Sequence, residues 1–210
     1  MIAKIILTLF LISLTPSVAT ASQPIKYSSI DVAIKALKVA PESRTGYMRT
    51  KFRHWVGVGN GCDSRKAVII SEASLKPKVE PGCKIIGGEW NSIYDNVKVI
   101  DAAKLDVDHM VPLAEAWDSG ASAWDDKRRE LYANDQTDKI HLIAVTGASN
   151  RSKSDRDPSE WMPSNKAYHC QYIANWVSIK IRWSLSVDEK ELLAIKSIKC
   201  PKLKITIPSL

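Results

Sequence analysis

Asp106-Val107-Asp108-His109-Met110-Val111-Pro112-Leu113 is the stretch on which the reading of this chain turns. Its apolar and β-branched residues predict a strand over 105–111. Packing alone would not choose two acids and a histidine inside such a run. A second stretch, Asn150-Arg151-Ser152-Lys153-Ser154-Asp155-Arg156-Asp157-Pro158, closely follows an apolar strand expected at 142–145. It reads as a polar helix start, with Asn150 or Asp157 as cap and Pro158 at a first helical position. One stretch offers an imidazole beside carboxylates, and the other an amide oxygen among cations. A neutral imidazole can take a proton from water. Asp and Asn oxygens suit a hard divalent ion such as Mg²⁺, which stabilises charge on a phosphate. Arg and Lys hold phosphate oxygens. Phosphodiester cleavage needs these residue types together.

Around these stretches the patterning is mixed. A helix is expected over 30–40, capped by Ser28 or Ser29, after a mobile segment at 23–29. Short strands are expected at 67–70, 84–86 and 97–100. Helices follow at 114–117 and 124–133. After residue 150 the chain stays polar as far as Trp161. An amphipathic helix is expected over 165–183, another over 187–200 with Ser186 as its cap, and an edge strand in the tail at 203–210. The class is therefore α+β.

Composition limits the rest. Of 210 residues, 45% are hydrophobic and 25% charged, as in an ordinary folded protein and unlike a disordered one. Residues 1–21 read as a secretory signal peptide: Lys4, an apolar run, then a small-x-small site ending at Ala21. The remainder, 22–210, is expected to be one domain without stable membrane insertion. Export favours disulfides between Cys62, Cys83, Cys170 and Cys200. Of three connectivities, Cys62–Cys83 with Cys170–Cys200 is preferred, because each pair falls inside one local segment. The formal charge of +7 suits an anionic partner. Arg128, Arg129, Arg151, Lys153 and Arg156 would contact phosphates as a cluster. Trp117, Trp161, Trp176 and Trp183 are expected in the core. His54 and His141 read as structural or surface residues.

The stretches D-V-D-H-M-V-P-L and N-R-S-K-S-D resemble the first strand and the metal-binding helix start of HNH, or His-Me-finger, endonucleases. A similar pairing occurs in the HNH domain of RNA-guided CRISPR nucleases. The chain more fully resembles an exported bacterial HNH endonuclease family, related to the nuclease domain of modification-dependent restriction enzymes. That likeness also covers residues 47–55, 62–65, 114–124, 132–135, 157–163 and 170–200. It implies a ββα-metal core with added short strands and C-terminal helices. It implies that His109 is the general base, that Asp108 and Asn150 ligate one divalent metal (Mg²⁺, or alternatively Mn²⁺), and that Asn134 orients His109. Asp106 lies on the same side of the strand as Asp108 and is the alternative ligand. Arg129, Arg151 and Lys153 would bind phosphate.

The expected function is metal-dependent endonucleolytic hydrolysis of DNA, and alternatively of RNA, with little sequence preference, because no base-reading module is present. The rival is a basic protein that binds nucleic acid or another anionic surface without turnover. A nucleophilic-serine hydrolase lacks its G-x-S-x-G elbow. The sequence carries no signature of oligomeric state.

Overall fold

The computed structural model describes residues 23–200 and 203–210, so the expected signal peptide lies outside the described residues. The described chain begins with β1 (Ile25–Tyr27), α1 (Ile30–Ile34), β2 (Lys38–Val39), β3 (Gly57–Gly59), β4 (Cys62–Asp63) and α2 (Ser64–Glu72). Two hairpins follow, β5 (Lys78–Glu80) with β6 (Lys84–Ile86), and β7 (Trp90–Ser92) with β8 (Val97–Val99). Next come β9 (Leu105–His109), α3 (Leu113–Asp118), α4 (Asp126–Ala133), β10 (Leu142–Thr146) and α5 (Gly147–Lys153). The chain closes with α6 (His169–Arg182), β11 (Ser186–Val187), α7 (Glu189–Ser197) and β12 (Ile205–Ile207). The class is mixed α+β, with small two-stranded sheets.

Several local expectations change for identifiable reasons. The segment at 67–70 is helical, because the Asp63 carboxylate accepts from Lys66 N at 2.7 Å and caps α2, whose Val68 and Ile69 are buried. The helix expected to reach residue 40 stops at Ile34, and Lys38–Val39 pairs in parallel with Ser186–Val187. Ser186 is therefore a strand residue, and Asp188 caps α7 by accepting from Glu191 N at 2.7 Å. The supposedly mobile N-terminal segment holds β1, paired antiparallel with β12. Thr146 caps α5, which puts Asn150 inside the helix rather than at its start. Asp157 closes a turn by accepting from Ser159 N.

Both disulfides form as expected: Cys62–Cys83, and Cys170–Cys200, which ties α6 to the segment after α7. Among the described residues no helix is long and apolar enough to cross a membrane.

The antiparallel hairpin β9–β10 separates two cores. Leu105 and Val107, with Leu142 and Ala144, pack on Val68, Ile69 and Trp90. The opposite face carries Ile143 and Val145 into the larger helical core, with Tyr172, Trp176 and Val177 of α6. Asp108 is paired with Ile143 and Asp106 with Val145, so both acids emerge on that second face.

A buried ionic cluster holds the helices behind it. Lys180 is wholly buried and donates to Glu115, to Ser119 Oγ at 2.7 Å, to the Ser186 carbonyl at 2.8 Å and to Glu191 Oε2 at 3.1 Å. Burial would lower the Lys180 ammonium, but Glu115 and Glu191 outweigh it and hold it above its ordinary range. Burial pushes the Glu191 carboxyl up to about 7. Removing the cation strands two carboxylates out of water. Lys180→Met is therefore expected to destabilise the fold by about 3–5 kcal/mol, read by chemical denaturation. A loss below about 1 kcal/mol would show that the cluster is not what joins α3, α6 and α7.

Candidate active site

The strand β9 ends at His109 and the chain bends before Pro112. That end matters, because neighbouring strand residues point to opposite faces. Here Asp108 and His109 line one cleft of about 460 Å³ together with Asn150, Arg151, Arg49 and Tyr47. Four of the expected functional residues, Asp108, His109, Asn150 and Arg151, therefore share one cavity. They reach it from the end of a strand and from the helix that follows its partner strand.

His109 is buried and its ring is held on two sides. Nε2 lies 2.9 Å from the Ala133 carbonyl at the end of α4, and Trp55 stacks on the ring with centroids 5.3 Å apart. Trp55 has a left-handed backbone, φ 60°, which is unusual for a bulky side chain. A carbonyl can only accept, so Nε2 carries the proton and Nδ1 is left as the ring's acceptor. Burial drives the imidazole well below its ordinary pKa, against the Ala133 hydrogen bond, with His141, Arg49 and His54 adding to the depression. His109 is thus a neutral imidazole of fixed tautomer.

Asp108 is almost fully buried. Its Oδ2 accepts from Tyr94 Oη at 2.6 Å and from Lys153 Nζ at 2.7 Å. Lys153 also donates to the His109 carbonyl at 2.9 Å. Burial pushes the Asp108 carboxyl up, and Lys153 and Tyr94 oppose it. With Oδ2 engaged, Oδ1 is the oxygen left for a ligand. Asp106, half-buried, accepts from the Asn150 amide nitrogen at 3.2 Å. Donation by that nitrogen leaves the amide oxygen of Asn150 free, so Asp106 orients Asn150. The donor set of one carboxylate oxygen and one amide oxygen fits a Mg²⁺-like ion, which takes few protein ligands and keeps several waters.

Three expected assignments are revised by their surroundings. Asn134 does not orient His109: its amide accepts from Val56 N at 3.1 Å and Ser64 Oγ at 2.7 Å, and donates to the Arg53 and Glu130 carbonyls. The orienting group is the neighbouring backbone carbonyl of Ala133. Lys153 is wholly buried against Asp108 and cannot meet a substrate phosphate. Arg129 is also buried, held by the Ala121 and Trp124 carbonyls and by Asp126. Arg151 remains, 74% exposed, with Nη1 3.7 Å from Asp106 Oδ2. It lies across Gly147, where a Cβ would stand 2.7 Å from the guanidinium. Of the tryptophans expected in the core, Trp117, Trp176 and Trp183 are buried, and Trp161 is half-buried at its edge. His141 is wholly buried, with Nε2 2.7 Å from the Tyr132 carbonyl.

Sequence reasoning did not single out Tyr94, the Ala133 carbonyl or Arg44. Arg44 joins Asp118 of α3 to Asp155 on the cleft wall, at 2.6 and 2.7 Å. Its hydrogen bond is the main cause holding the Asp155 carboxyl below its usual range.

The two buried imidazoles set a pH dependence. Burial lowers His109 well below 6.5 and His141 to about 4. The unfolded chain binds these protons more readily, so their contribution to stability is present above about 6.5 and is lost as pH falls toward 4. In an NMR titration of the imidazole nitrogens, His109 is expected to keep its Nε2–H neutral form through pH 6.5 and below. Protonation with a midpoint at or above 6.5 would contradict its burial.

Residues 66–196, more than half of the chain, match the family described as GmrSD restriction endonucleases, C-terminal domain. An uncharacterized secreted protein of the fungus Arthroderma benhamiae is 35% identical over 172 residues, covering 81% of this chain and 83% of that protein. No solved structure matches. The matched segment contains β9, β10 and α5 whole, and with them every residue of the His109–Asp108–Asn150 constellation. The chain belongs to the family of GmrSD restriction endonuclease C-terminal domains.

Proposed function

We propose that this protein is an exported, metal-dependent endonuclease of the His-Me-finger, or HNH, type, hydrolysing phosphodiester bonds of DNA or RNA with little sequence preference. The observation that carries the reading is a neutral, tautomer-fixed imidazole, His109, in one cleft with the oxygens of Asp108 and Asn150. Membership of a restriction-endonuclease family supports nuclease chemistry. The secreted fungal relative and the two disulfides support export.

In this mechanism His109 Nδ1 takes the proton from the attacking water, while Nε2–H stays bonded to the Ala133 carbonyl. Trp55 excludes water from one ring face and fixes the ring plane. Asp108 and Asn150 would hold one divalent cation, Mg²⁺ or Mn²⁺, which when bound stabilises charge on the scissile phosphate and the departing 3′ oxygen. Tyr94 and Lys153 hold Asp108 in place from behind, and Asp106 does the same for Asn150. Arg49 and Arg151, on the cleft wall, bind the substrate's phosphate oxygens.

The separation of base from ligand is testable. His109→Ala is expected to lose about 10²–10⁴-fold in turnover with metal binding retained. Asn150→Ala is expected to recover activity at high Mg²⁺ or Mn²⁺, which His109→Ala does not. Cleavage of plasmid and oligonucleotide substrates across a metal titration, with labelled product ends, reads both effects, and the products should carry 5′-phosphates. Near-normal cleavage by His109→Ala removes His109 from the mechanism. Full cleavage in EDTA removes the metal.

A further inference from the structure

A second depression opens on the far side of Arg151. It has a volume of about 480 Å³, within the range of small-molecule sites. Its floor is apolar, formed by Val97, Val99, Ile100 and Ala103. Val97 is 43% and Ile100 70% exposed. Single exposed apolar residues are ordinary, but grouped in a concave surface they mark a binding site.

Two observations say what would cover this floor. The first is continuity. Arg151 lines both cavities, and Asp106, which holds the Asn150 amide, lines the second. The depression therefore begins where the substrate's phosphate would sit and leads away from it. The second is charge. Lys104, Lys98 and Arg151 stand on its wall, opposed by the Asp106 carboxylate. Lys98 is paired with Glu89 at 2.6 Å and Arg151 lies 3.7 Å from Asp106, and both Lys104 and Arg151 are exposed at the rim. An apolar floor with cations at its rim, next to a phosphodiester site, matches a nucleotide: an apolar base face between phosphates.

We propose that this depression is a subsite for the nucleotide adjoining the scissile phosphate, which enters with its base unpaired. The inference rests on the nuclease reading of the neighbouring cleft. A base within a duplex shows only its edges in the grooves, so it cannot lay its face on Ile100 and Val97. A base in a single strand can be splayed out and covered. Contact through the face is also tolerant of sequence, since every base has one. The chain would then favour single strands or locally opened duplex over stiff duplex.

The test uses the full mature protein in EDTA, so that no strand is cut, and fluorescence anisotropy with two labelled strands of equal length. One is oligothymidylate and the other an abasic deoxyribose-phosphate strand. The intact protein is expected to prefer the base-bearing strand by roughly tenfold. The double variant Val97→Ser/Ile100→Ser should lose that preference while binding the abasic strand as before. Leu193→Ser, an exposed apolar change on α7, should keep it. Equal binding of both strands by the intact protein, a preference retained by the double variant, or no binding of either strand overturns the subsite. Cleavage in Mg²⁺ and Mn²⁺ is scored separately. Cleavage without a base preference removes the subsite and leaves the nuclease reading standing. A base preference that depends on Val97 and Ile100, with no cleavage in any metal, removes the nuclease reading and leaves a nucleotide-binding site.

Discussion

The Lys153 ammonium sits out of water between the Asp108 carboxylate and the His109 carbonyl. It reaches there from the last residue of α5 and clamps that helix onto the end of β9. The geometry of the cleft follows from this contact. It turns one oxygen of Asp108 away from the cleft and leaves the other for a ligand. It fixes the strand end at which Asp108 and His109 stop facing opposite ways. It also sets the position of α5, and with it Asn150. A buried cation of this kind is costly unless paired, and breaking such a pair typically costs about 3–5 kcal/mol. Tyr94 completes the pairing at Asp108, and Trp176 of α6 lies 6.0 Å from the ammonium.

Behind this clamp the structure repeats the device. Lys180 joins α3, α6 and α7 through Glu115 and Glu191, and Arg182 is paired with Asp135. Arg44 links Asp118, at the end of α3, to Asp155, just beyond α5. The cleft thus lies between elements tied by charge, while the two hydrophobic cores fill the hairpin's faces. Among the described residues the sheets hold two strands each and would be marginal alone. Long-range ion pairs and the two disulfides supply cross-links that the short strands do not.

How much of this was legible in the sequence depends on what carried the signal. The strands expected at 105–111 and 142–145 are legible as apolar, β-branched runs and lie at Leu105–His109 and Leu142–Thr146, and the acids and histidine that interrupt the first of them mark the site. His109, Asp108 and Asn150 could be named because a motif carries them. The helix α2 was misread, since Val68, Ile69 and Ile70 look like a strand and the deciding cap is a single carboxylate, Asp63. Arg129 and Lys153 were misread as phosphate contacts for a different reason. A cation is written with the same letter whether it is solvated or buried, and only its three-dimensional partners, Asp126 or Asp108, tell the difference. The orienting group of His109 is a backbone carbonyl, which no side-chain pattern records.

That last point also explains the long separation between His109 and Asn150. The chain leaves the hairpin after His109 and returns at Leu142, and α3 and α4 lie between. This excursion supplies the two carbonyls at the end of α4: Ala133 receives His109 and Tyr132 receives His141. Tyr132 in turn donates its hydroxyl to the Val111 carbonyl at 2.6 Å, which ties the excursion back to its own start. Arg129, expected at the substrate, holds the Ala121 and Trp124 carbonyls and so fixes the entry to α4. A short turn between β9 and β10 would leave the imidazole at the strand end without an acceptor for Nε2 and open to water. Its pKa would then return toward about 6.5 and its tautomer would be free. The inserted helices therefore set the state of this imidazole: they remove His109 from solvent and, through the Ala133 carbonyl, place the proton on Nε2 and leave Nδ1 as the acceptor.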